Sequence, residues 1–119
     1  MTVYGDGAQT RSLCYVSDLV EGLLRTLESS QTVGEVTNLG NPEEHTILEY
    51  AEIIRGLANS SSEVIYTPVA VGDDPQRRRP DISKAQRLLN WSPVVGLEEG
   101  LGLTIQYFAR ELSITAGKA

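Results

Sequence analysis

Two arginines of this sequence have surroundings that suit the binding of phosphate. Arg11 follows a glycine-containing loop and begins an apolar run, so that a rigid element would aim its side chain. Arg78 is the middle one of three consecutive arginines, which lie between Pro75 and Pro80. A guanidinium group presents a planar fork of N–H donors that matches the oxygens of a phosphate. If the two side chains converge, they form a clamp for a diphosphate.

Each arginine also has a purely structural interpretation. Arg11 is close enough in sequence to Asp6 and Asp18 to form an ion pair with either of them. The triplet around Arg78 has several aspartates beside it, and a charged run of this kind is typical of a solvated surface. The residue types and their spacing leave both interpretations open.

Other motifs of nucleotide and catalytic chemistry are incomplete or absent. Gly5 and Gly7 supply the first pair of a G-x-G-x-x-G dinucleotide fingerprint, but neither its third glycine nor a following helix is indicated. The glycine, lysine and hydroxyl run of a P-loop is missing, and so is a Tyr-x-x-x-Lys pair. His45 is the single histidine, which excludes a His-rich metal site. The sequence therefore predicts no catalytic residue, no cofactor-binding residue and no metal ligand.

The length, net charge, cysteine content and apolar runs of the sequence limit the classes of protein to which the chain can belong. A chain of 119 residues is the usual size of one domain. Its formal net charge of -6 opposes binding to nucleic acid. Cys14 is the single cysteine, which excludes an intrachain disulfide and fits a reducing compartment. Because no apolar run reaches membrane-spanning length, we expect a soluble, cytoplasmic protein that binds neither nucleic acid nor membrane.

The first half of the chain holds the elements that would position Arg11. Strands are predicted over residues 2–4 and 11–16, joined by a Gly-Asp-Gly turn. Ser17 is the predicted cap of a helix whose apolar residues recur at helical spacing as far as Leu27. A further strand is predicted over residues 33–40, between two glycines.

The second half combines one strand with three helices. Thr46 and Glu49 have capping-box spacing. The predicted elements are a helix over 45–58, a strand over 64–69, a polar loop over 73–83, a helix capped by Asp81 or Ser83, a helix from Leu97 and a frayed tail over 115–119. The alternation predicts an α/β fold with some parallel pairing, in which a few short strands pack with about four helices.

Four stretches, taken in order, resemble a known family. They are "VYGDGAQTRSLCYVSDLVEGL", "TNLGNPEEHTILEYAEII", "DDPQRRRPDISKAQRLLNWSP" and "LEEGLGLTIQYF". They are similar to the C-terminal part of extended short-chain dehydrogenases/reductases that act on nucleotide sugars, and most similar to the UDP-glucuronate decarboxylase branch. The resemblance covers nearly the whole chain. It implies that residues 1–119 form one substrate-binding subdomain of a Rossmann-type enzyme.

The resemblance also implies roles for single residues. Arg11 would reach the nucleotide diphosphate, and Arg78 would reach the phosphate–sugar region near the sugar carboxylate. Tyr4, with the loop that follows it, would shape the nucleotide pocket. The partner implied is a UDP-sugar, bound weakly. NAD is the cofactor of the intact family enzymes, whose NAD-binding part lies upstream of the matched segment.

The departures from the family are as informative as the match. The glycine-rich NAD fingerprint and the Tyr-x-x-x-Lys pair do not occur in this sequence. We therefore expect a truncated chain that is inactive alone, since without NAD no hydride acceptor stands at C4 of the sugar. Uncovered helix faces and strand edges would favour self-association. The alternatives are a self-standing module that binds nucleotide sugars or a protein partner, and a structural domain without a ligand.

Overall fold

Short strands and longer helices follow one another in the computed structural model, which describes residues 1–68 and 75–116. The helices are α1 (Val16–Glu28), α2 (Ile47–Leu57), α3 (Ser83–Leu89) and α4 (Leu97–Ala116). The strands are β1 (Thr2–Tyr4), β2 (Thr10–Arg11), β3 (His45–Thr46) and β4 (Ile65–Thr67), and a 3-10 helix spans Ser30–Thr32. The predicted α/β class, with few short strands and about four helices, is confirmed for the described residues. None of the described helices combines the length and the apolarity needed to cross a membrane.

The four strands form two separate pairs. β1 runs parallel to β4, with Val3 opposite Tyr66. β2 runs antiparallel to β3, with Arg11 opposite His45. A parallel pair needs a long crossover connection, and the segment from β2 to the end of α2 supplies it. The predicted parallel pairing is therefore present between β1 and β4.

The core is centred on one tryptophan. Trp91 is 2% exposed and packs with Ile82, Ala85 and Leu89 at α3. Its indole Nε1 donates a hydrogen bond of 3.0 Å to the backbone oxygen of Asp18. The buried ring thus joins α3 to the first turn of α1.

The predicted N-terminal cap is correct for α2 and incorrect for α1. The capping box of α2 is confirmed: Thr46 Oγ1 accepts a hydrogen bond from the Glu49 amide at 3.1 Å, and Glu49 Oε2 accepts one from the Thr46 amide at 2.7 Å. The predicted cap of α1 is wrong. This helix begins at Val16 after Tyr15, which makes no side-chain capping bond, so that Ser17 lies inside the helix.

The start of α3 differs slightly from the prediction, and the start of α4 agrees with it. Ile82 is the N-cap residue of α3. Asp81 still satisfies one free amide of the first turn, because its Oδ1 accepts a hydrogen bond of 2.9 Å from the Ser83 amide. α4 begins at Leu97, as predicted.

Two predicted strands are wrong in whole or in large part. Of the strand predicted over 11–16, Arg11 alone lies in a strand, and the stretch 33–40 contains none. Both stretches are rich in residues that favour extended backbone. Extended backbone becomes a strand only where a neighbour accepts and donates hydrogen bonds, and the described residues provide no such neighbour for 12–15 or 33–40.

Parts of three predictions lie outside the described residues. The strand predicted over 64–69 is observed as β4, and residue 69 is outside the description. The polar loop predicted over 73–83 is described from Pro75 onward. Residues 115 and 116 of the predicted tail belong to α4, and 117–119 lie outside the described residues.

The molecule is more open than a compact domain of its length. Its Cα radius of gyration is 17.3 Å, against about 13.5 Å for a compact chain of this length. Its solvent-accessible surface is 8300 Å², against roughly 6300 Å² for a compact monomer of this mass. Much apolar surface is therefore exposed, above all on α1 and α4.

Candidate functional site

Three distant segments meet at β2. Thr10 lies opposite Thr46 of β3 on one side. On the other side its amide donates a hydrogen bond of 2.9 Å to the backbone oxygen of Gln76, and it forms a parallel bridge with Arg77. The bridge brings the arginine triplet beside β2 and therefore beside Arg11.

The side chains at and next to the bridge between Thr10 and Arg77 point to two opposite faces. Thr10 Oγ1 donates a hydrogen bond of 2.8 Å to Glu44 Oε1, and Arg77 Nη2 lies 2.7 Å from Glu44 Oε2. Thr10 and Arg77 thus share the face that carries Glu44. Successive side chains of extended segments point to opposite faces. Arg11 and Arg78, each one residue further along, therefore start together from the other face.

Arg11 lies on a rigid strand, as the sequence predicts. Its Nη1 donates hydrogen bonds to the backbone oxygens of Thr10 at 2.6 Å and Pro75 at 2.9 Å. The hydroxyl of Tyr50, in α2, donates a hydrogen bond of 2.9 Å to the backbone oxygen of Arg11. The side chain is half-buried, and these bonds hold it against the segment that carries the triplet.

The two aspartates that the sequence offers as partners of Arg11 bind backbone amides. Asp6 Oδ1 accepts a hydrogen bond of 2.9 Å from the amide of Ala8. Asp18 is 5% exposed, and its Oδ2 accepts hydrogen bonds from the amides of Val94 at 3.0 Å and Val95 at 2.9 Å. The role of each carboxylate is therefore local: the first orders the glycine loop, and the second fastens the segment after Trp91 to α1.

Arg78 is exposed and lines an open groove of 630 Å³. The other lining residues are Ser12, Thr37, Asn38, Leu39, Arg79, Pro80 and Asp81. The backbone of Arg78 is held by Ser12, whose hydroxyl donates to its oxygen at 3.2 Å. On the opposite wall Asn38 Nδ2 donates to the backbone oxygen of Asp81 at 3.2 Å. The groove offers two cationic side chains and several polar groups to an anionic ligand.

The three arginines of the triplet differ in their surroundings. All three are exposed, which agrees with the interpretation as a solvated surface. Arg77, however, binds Glu44 through two nitrogens, with Nε 2.9 Å from Oε1 and Nη2 2.7 Å from Oε2. Arg78 and Arg79 both face the groove. The triplet thus combines one residue that fixes its backbone with two that face open space.

Tyr4 lies in the other sheet, at the end of β1. Its ring is 55% exposed, and its backbone oxygen accepts a hydrogen bond of 3.0 Å from Gln9 Nε2. The loop from Gly5 to Gly7 turns the chain from β1 towards β2, and both glycines have positive φ, at 70° and 75°. The structure therefore brings Arg11 and Arg78 to one patch and places Tyr4 across the glycine loop from them.

Glu44 is the residue of this region that the sequence analysis missed. Its side chain is 12% exposed. Hydrogen bonds from Arg77 and Thr10 lower the pKa of its carboxyl group to about 2. The adjacent Glu43 and Glu44 look equivalent in the sequence. An available signal was the position of Glu44 two residues before the capping box, at the edge of a short strand.

Comparison with known proteins identifies the family and the part that is matched. Residues 1–104 match the family model described as GDP-mannose 4,6 dehydratase. UDP-glucuronic acid decarboxylase 1 of Danio rerio is 60% identical over 112 residues, which are 94% of this chain and 26% of the relative. The protein of the same name from Arabidopsis thaliana is 49% identical over 112 residues, which are 94% of this chain and 25% of the relative. The chain thus spans about a quarter of the length of the curated relatives that it matches.

Solved structures share the fold. UDP-glucuronic acid 4-epimerase from Bacillus cereus, solved in complex with UDP-glucuronic acid and NAD, aligns with a TM-score of 0.84 at 34% identity. The alignment covers 92% of this chain and 35% of the epimerase. UDP-glucose 4-epimerase from Thermotoga maritima, solved with UDP-glucose, aligns with a TM-score of 0.85 at 32% identity, over 94% of this chain and 35% of that protein.

The family match includes the first three of the four stretches in full and residues 97–104 of the fourth. The structural neighbours are Rossmann-type epimerases and dehydratases of nucleotide sugars. The chain belongs to the GDP-mannose 4,6-dehydratase family, among the extended short-chain dehydrogenase/reductase epimerases and dehydratases.

Proposed function

We propose that this chain is the nucleotide-sugar-binding part of an enzyme of the UDP-glucuronate decarboxylase type, and that it is catalytically inactive alone. The observation that carries the proposal is the bridge between Thr10 and Arg77. It sets Arg11 and Arg78, which are far apart in sequence, side by side on one face. Two guanidinium groups that start from adjacent backbone positions, one of them lining an open groove, suit the charge of a diphosphate.

Each site residue has a proposed role that combines the family resemblance with its position. Arg11, held by Pro75 and Thr10, neutralises the diphosphate. Arg78, which projects into the groove, reaches the phosphate–sugar region and the carboxylate of a glucuronate-like sugar. Tyr4 borders the nucleotide pocket from the end of β1. The proposed ligand class is supported by the relatives, which are named for UDP-glucuronic acid or were solved with UDP-sugars.

The described residues do not fit NAD. A dinucleotide is held where a glycine turn leads from a strand into a helix N-terminus. Here the glycine turn leads into β2, and α1 begins after Tyr15 with neither a glycine turn nor a side-chain cap. Neither place therefore forms the strand–turn–helix site that holds a dinucleotide such as NAD, which was present in the Bacillus cereus epimerase structure. We assign no reaction step to this chain.

The same proposal covers the organisation and the location of the chain. Residues 1–119 form one substrate-binding subdomain, since the Trp91–Asp18 hydrogen bond and the pairing of β1 with β4 join both halves of the sequence. The proposed location is the cytoplasm, with which the free thiol of Cys14 is compatible. Fractionation of cells that express the chain would test the location.

A UDP titration followed by NMR tests the proposed binding. Each charge-assisted hydrogen bond contributes about 1.5–3 kcal/mol at most, and association must first offset several kcal/mol of lost freedom. Two arginines, of which Arg78 lines an open groove, therefore give a Kd on the order of millimolar, about −4 kcal/mol. Arg11→Ala and Arg78→Ala should each abolish saturable shifts. Arg55→Ala, which removes an arginine that pairs with Glu52 on α2, should leave them unchanged.

Two further results bear on the proposal. Binding should weaken with added salt, because the groove is open to water. The chain should neither reduce NAD nor release carbon dioxide from UDP-glucuronate. Turnover that is lost in Arg78→Ala would contradict the inactive state, and shifts confined to residues away from both arginines would contradict the site.

A second candidate function is an interaction module without catalysis. It is favoured by the excess of exposed surface and by the apolar residues along α1. The exposed fraction of these side chains is 47–84% at Val16, Val20, Leu23, Leu24 and Leu27. A second copy of the chain is a suitable occupant, since the excess surface of about 2000 Å² is more than the roughly 800 Å² that each partner buries in a standard interface. Micromolar affinity for UDP in the isolated chain would instead support a self-standing binding module.

A further inference from the structure

One carboxylate joins three segments beneath the arginine site. Glu44 Oε1 accepts a hydrogen bond of 2.8 Å from Thr10 Oγ1. Both oxygens of Glu44 also accept from Arg77, which donates through Nε at 2.9 and 3.0 Å and through Nη2 at 2.7 Å. Glu44 thus connects the segment before β3, the strand β2 and the segment that begins at Pro75.

The geometry of this contact is that of an ordered pair and not of a passing surface contact. The carboxylate side chain is 12% exposed, although the arginine side chain is 71% exposed. A two-pronged contact between a guanidinium and a carboxylate fixes orientation as well as distance. The same contact holds the pKa of Glu44 at about 2, so the group is charged at neutral pH.

The contact lies on the face opposite to the proposed ligand. Thr10 and Arg77 are bridged to each other and turn to Glu44. The next residue of each segment starts from the opposite face, where Arg78 lines the groove and Arg11 is held by the backbone oxygens of Thr10 and Pro75. Glu44 therefore does not touch the ligand. It restrains the two backbone positions from which Arg11 and Arg78 project.

We propose that Glu44 is a positioning residue for nucleotide-sugar binding, which acts through Thr10 and Arg77 to hold Arg11 and Arg78 side by side. The proposal rests on the proposed function of the two arginines. Without this restraint the arginine-bearing segment is ordered in only a fraction of the molecules, and only that fraction can bind the ligand. The apparent Kd then rises by the inverse of the fraction of molecules in which that segment is ordered.

Glu44→Gln is the first test, because it keeps the shape of the side chain and one acceptor for Thr10 but removes the charge. An ion pair at the surface contributes modestly, so we expect the apparent Kd for UDP to rise by up to about fivefold. Backbone order parameters of residues 76–79 should fall in the same sample, in the absence of UDP. Glu43→Gln is the matched control. Glu43 is the adjacent carboxylate, it pairs with His45, and its loss should change neither quantity.

Arg77→Ala provides a second route to the same state. It removes a mostly exposed side chain, and so the fold should be retained even if Glu44→Gln is unstable. It should raise the Kd by a similar factor, less than the loss expected for Arg78→Ala. The double variant Glu44→Arg with Arg77→Glu restores an ion pair of reversed polarity and should recover much of the order and of the affinity.

The outcomes separate this proposal from the proposed function. If the native chain shows no UDP binding, the proposed function fails, and the order of residues 76–79 alone decides whether Glu44 positions the triplet. If UDP binds and Glu44→Gln lowers neither the order nor the affinity, the positioning role is wrong. A loss of order with an unchanged Kd overturns it as well. A loss of both, with Glu43→Gln unchanged, supports it.

Discussion

The region around Arg11 and Arg78 differs from the apolar face of α1 in how far its side chains find partners within the chain. Around β2 the polar groups find partners inside the chain: Thr10, Arg77 and Glu44 bind one another, and Tyr50 binds the backbone of Arg11. Along α1 the apolar side chains have few neighbours. Leu23 is 56% exposed and Leu27 is 84% exposed.

The difference shows what each region requires from its surroundings. A hydrogen-bond network can be closed by a few residues once their backbones are in register, because each partner is specific and directional. An apolar face is stabilised only when an area of several hundred Å² is covered. The polar groups around β2 are therefore satisfied within the chain, whereas the apolar face of α1 is not covered by it. We expect ligand binding to depend on the first and association to depend on the second.

The largest expected effect concerns the exposed apolar face of α1. The native chain should self-associate, with a mass in light scattering that rises with protein concentration. Leu23→Glu combined with Leu27→Glu should weaken association at least about tenfold, since burial of two leucines contributes more than about 1.4 kcal/mol. Val36→Glu changes a side chain that is 85% exposed and belongs to the irregular segment after Thr32 and not to α1, and it should have little effect. A native chain whose mass stays that of a monomer at all concentrations would contradict this account.

The glycine loop beside Tyr4 should tolerate little change. Gly7 has a φ of 75°, and a Cβ there would meet Val3 Cγ1 at 3.0 Å and the Leu48 amide nitrogen at 3.4 Å. Gly7→Ala should therefore lower the free energy of unfolding by about 1–3 kcal/mol, measured by urea denaturation. Gly56→Ala is the control, because nothing lies within 4 Å of a Cβ at that helical position. Equal stability of the two variants would show that the loop is less constrained than described.

Lowering the pH should reveal how much the charged carboxylate of Glu44 contributes to the stability of the fold. Its pKa is about 2 in the folded chain, against an ordinary value of 4.5. A carboxyl group whose pKa is lowered by folding stabilises the fold above its ordinary pKa and loses that contribution as the pH falls towards the folded pKa. The difference in stability between the native chain and Glu44→Gln should therefore be full above pH 4.5 and shrink between pH 4.5 and 2. A difference that does not vary over this range would show that charge is not the cause.

A smaller effect is expected at the edge of the groove. Thr37 Oγ1 is buried and has no hydrogen-bond partner among the described residues. A buried hydroxyl without a partner is unfavourable by about 1–3 kcal/mol. Thr37→Val keeps the shape and removes the hydroxyl, so it should raise the free energy of unfolding by about 1 kcal/mol. A loss of stability in urea denaturation would indicate a partner for this hydroxyl.

The sequence predicted the parts of the fold that depend on local interactions. The capping box of Thr46 and Glu49 involves residues three apart, and their types state their roles. The strands predicted over 11–16 and 33–40 failed because a strand depends on a neighbour that its own residues do not specify. The helix cap predicted at Ser17 failed because α1 already begins at Val16, after Tyr15.

The site was predictable in its chemistry and not in its geometry. Arginine was identifiable as the candidate side chain for phosphate binding from its donors alone. The register that sets Arg11 beside Arg78 depends on the bridge between Thr10 and Arg77, two residues whose types do not indicate that they pair. The role of Glu44 was hidden for the same reason, because the chain brings it to Arg77 only after folding.

The central claim is that Arg11 and Arg78 together hold a diphosphate, and the most direct measurement compares UDP with uridine. Side-chain Nε resonances of arginine report on the guanidinium groups themselves. We expect titration with UDP to shift the resonances of Arg11 and Arg78 with one common Kd on the order of millimolar, and uridine at the same concentrations to leave both unchanged. Equal responses to UDP and uridine, or two unrelated Kd values for the two arginines, would contradict the claim.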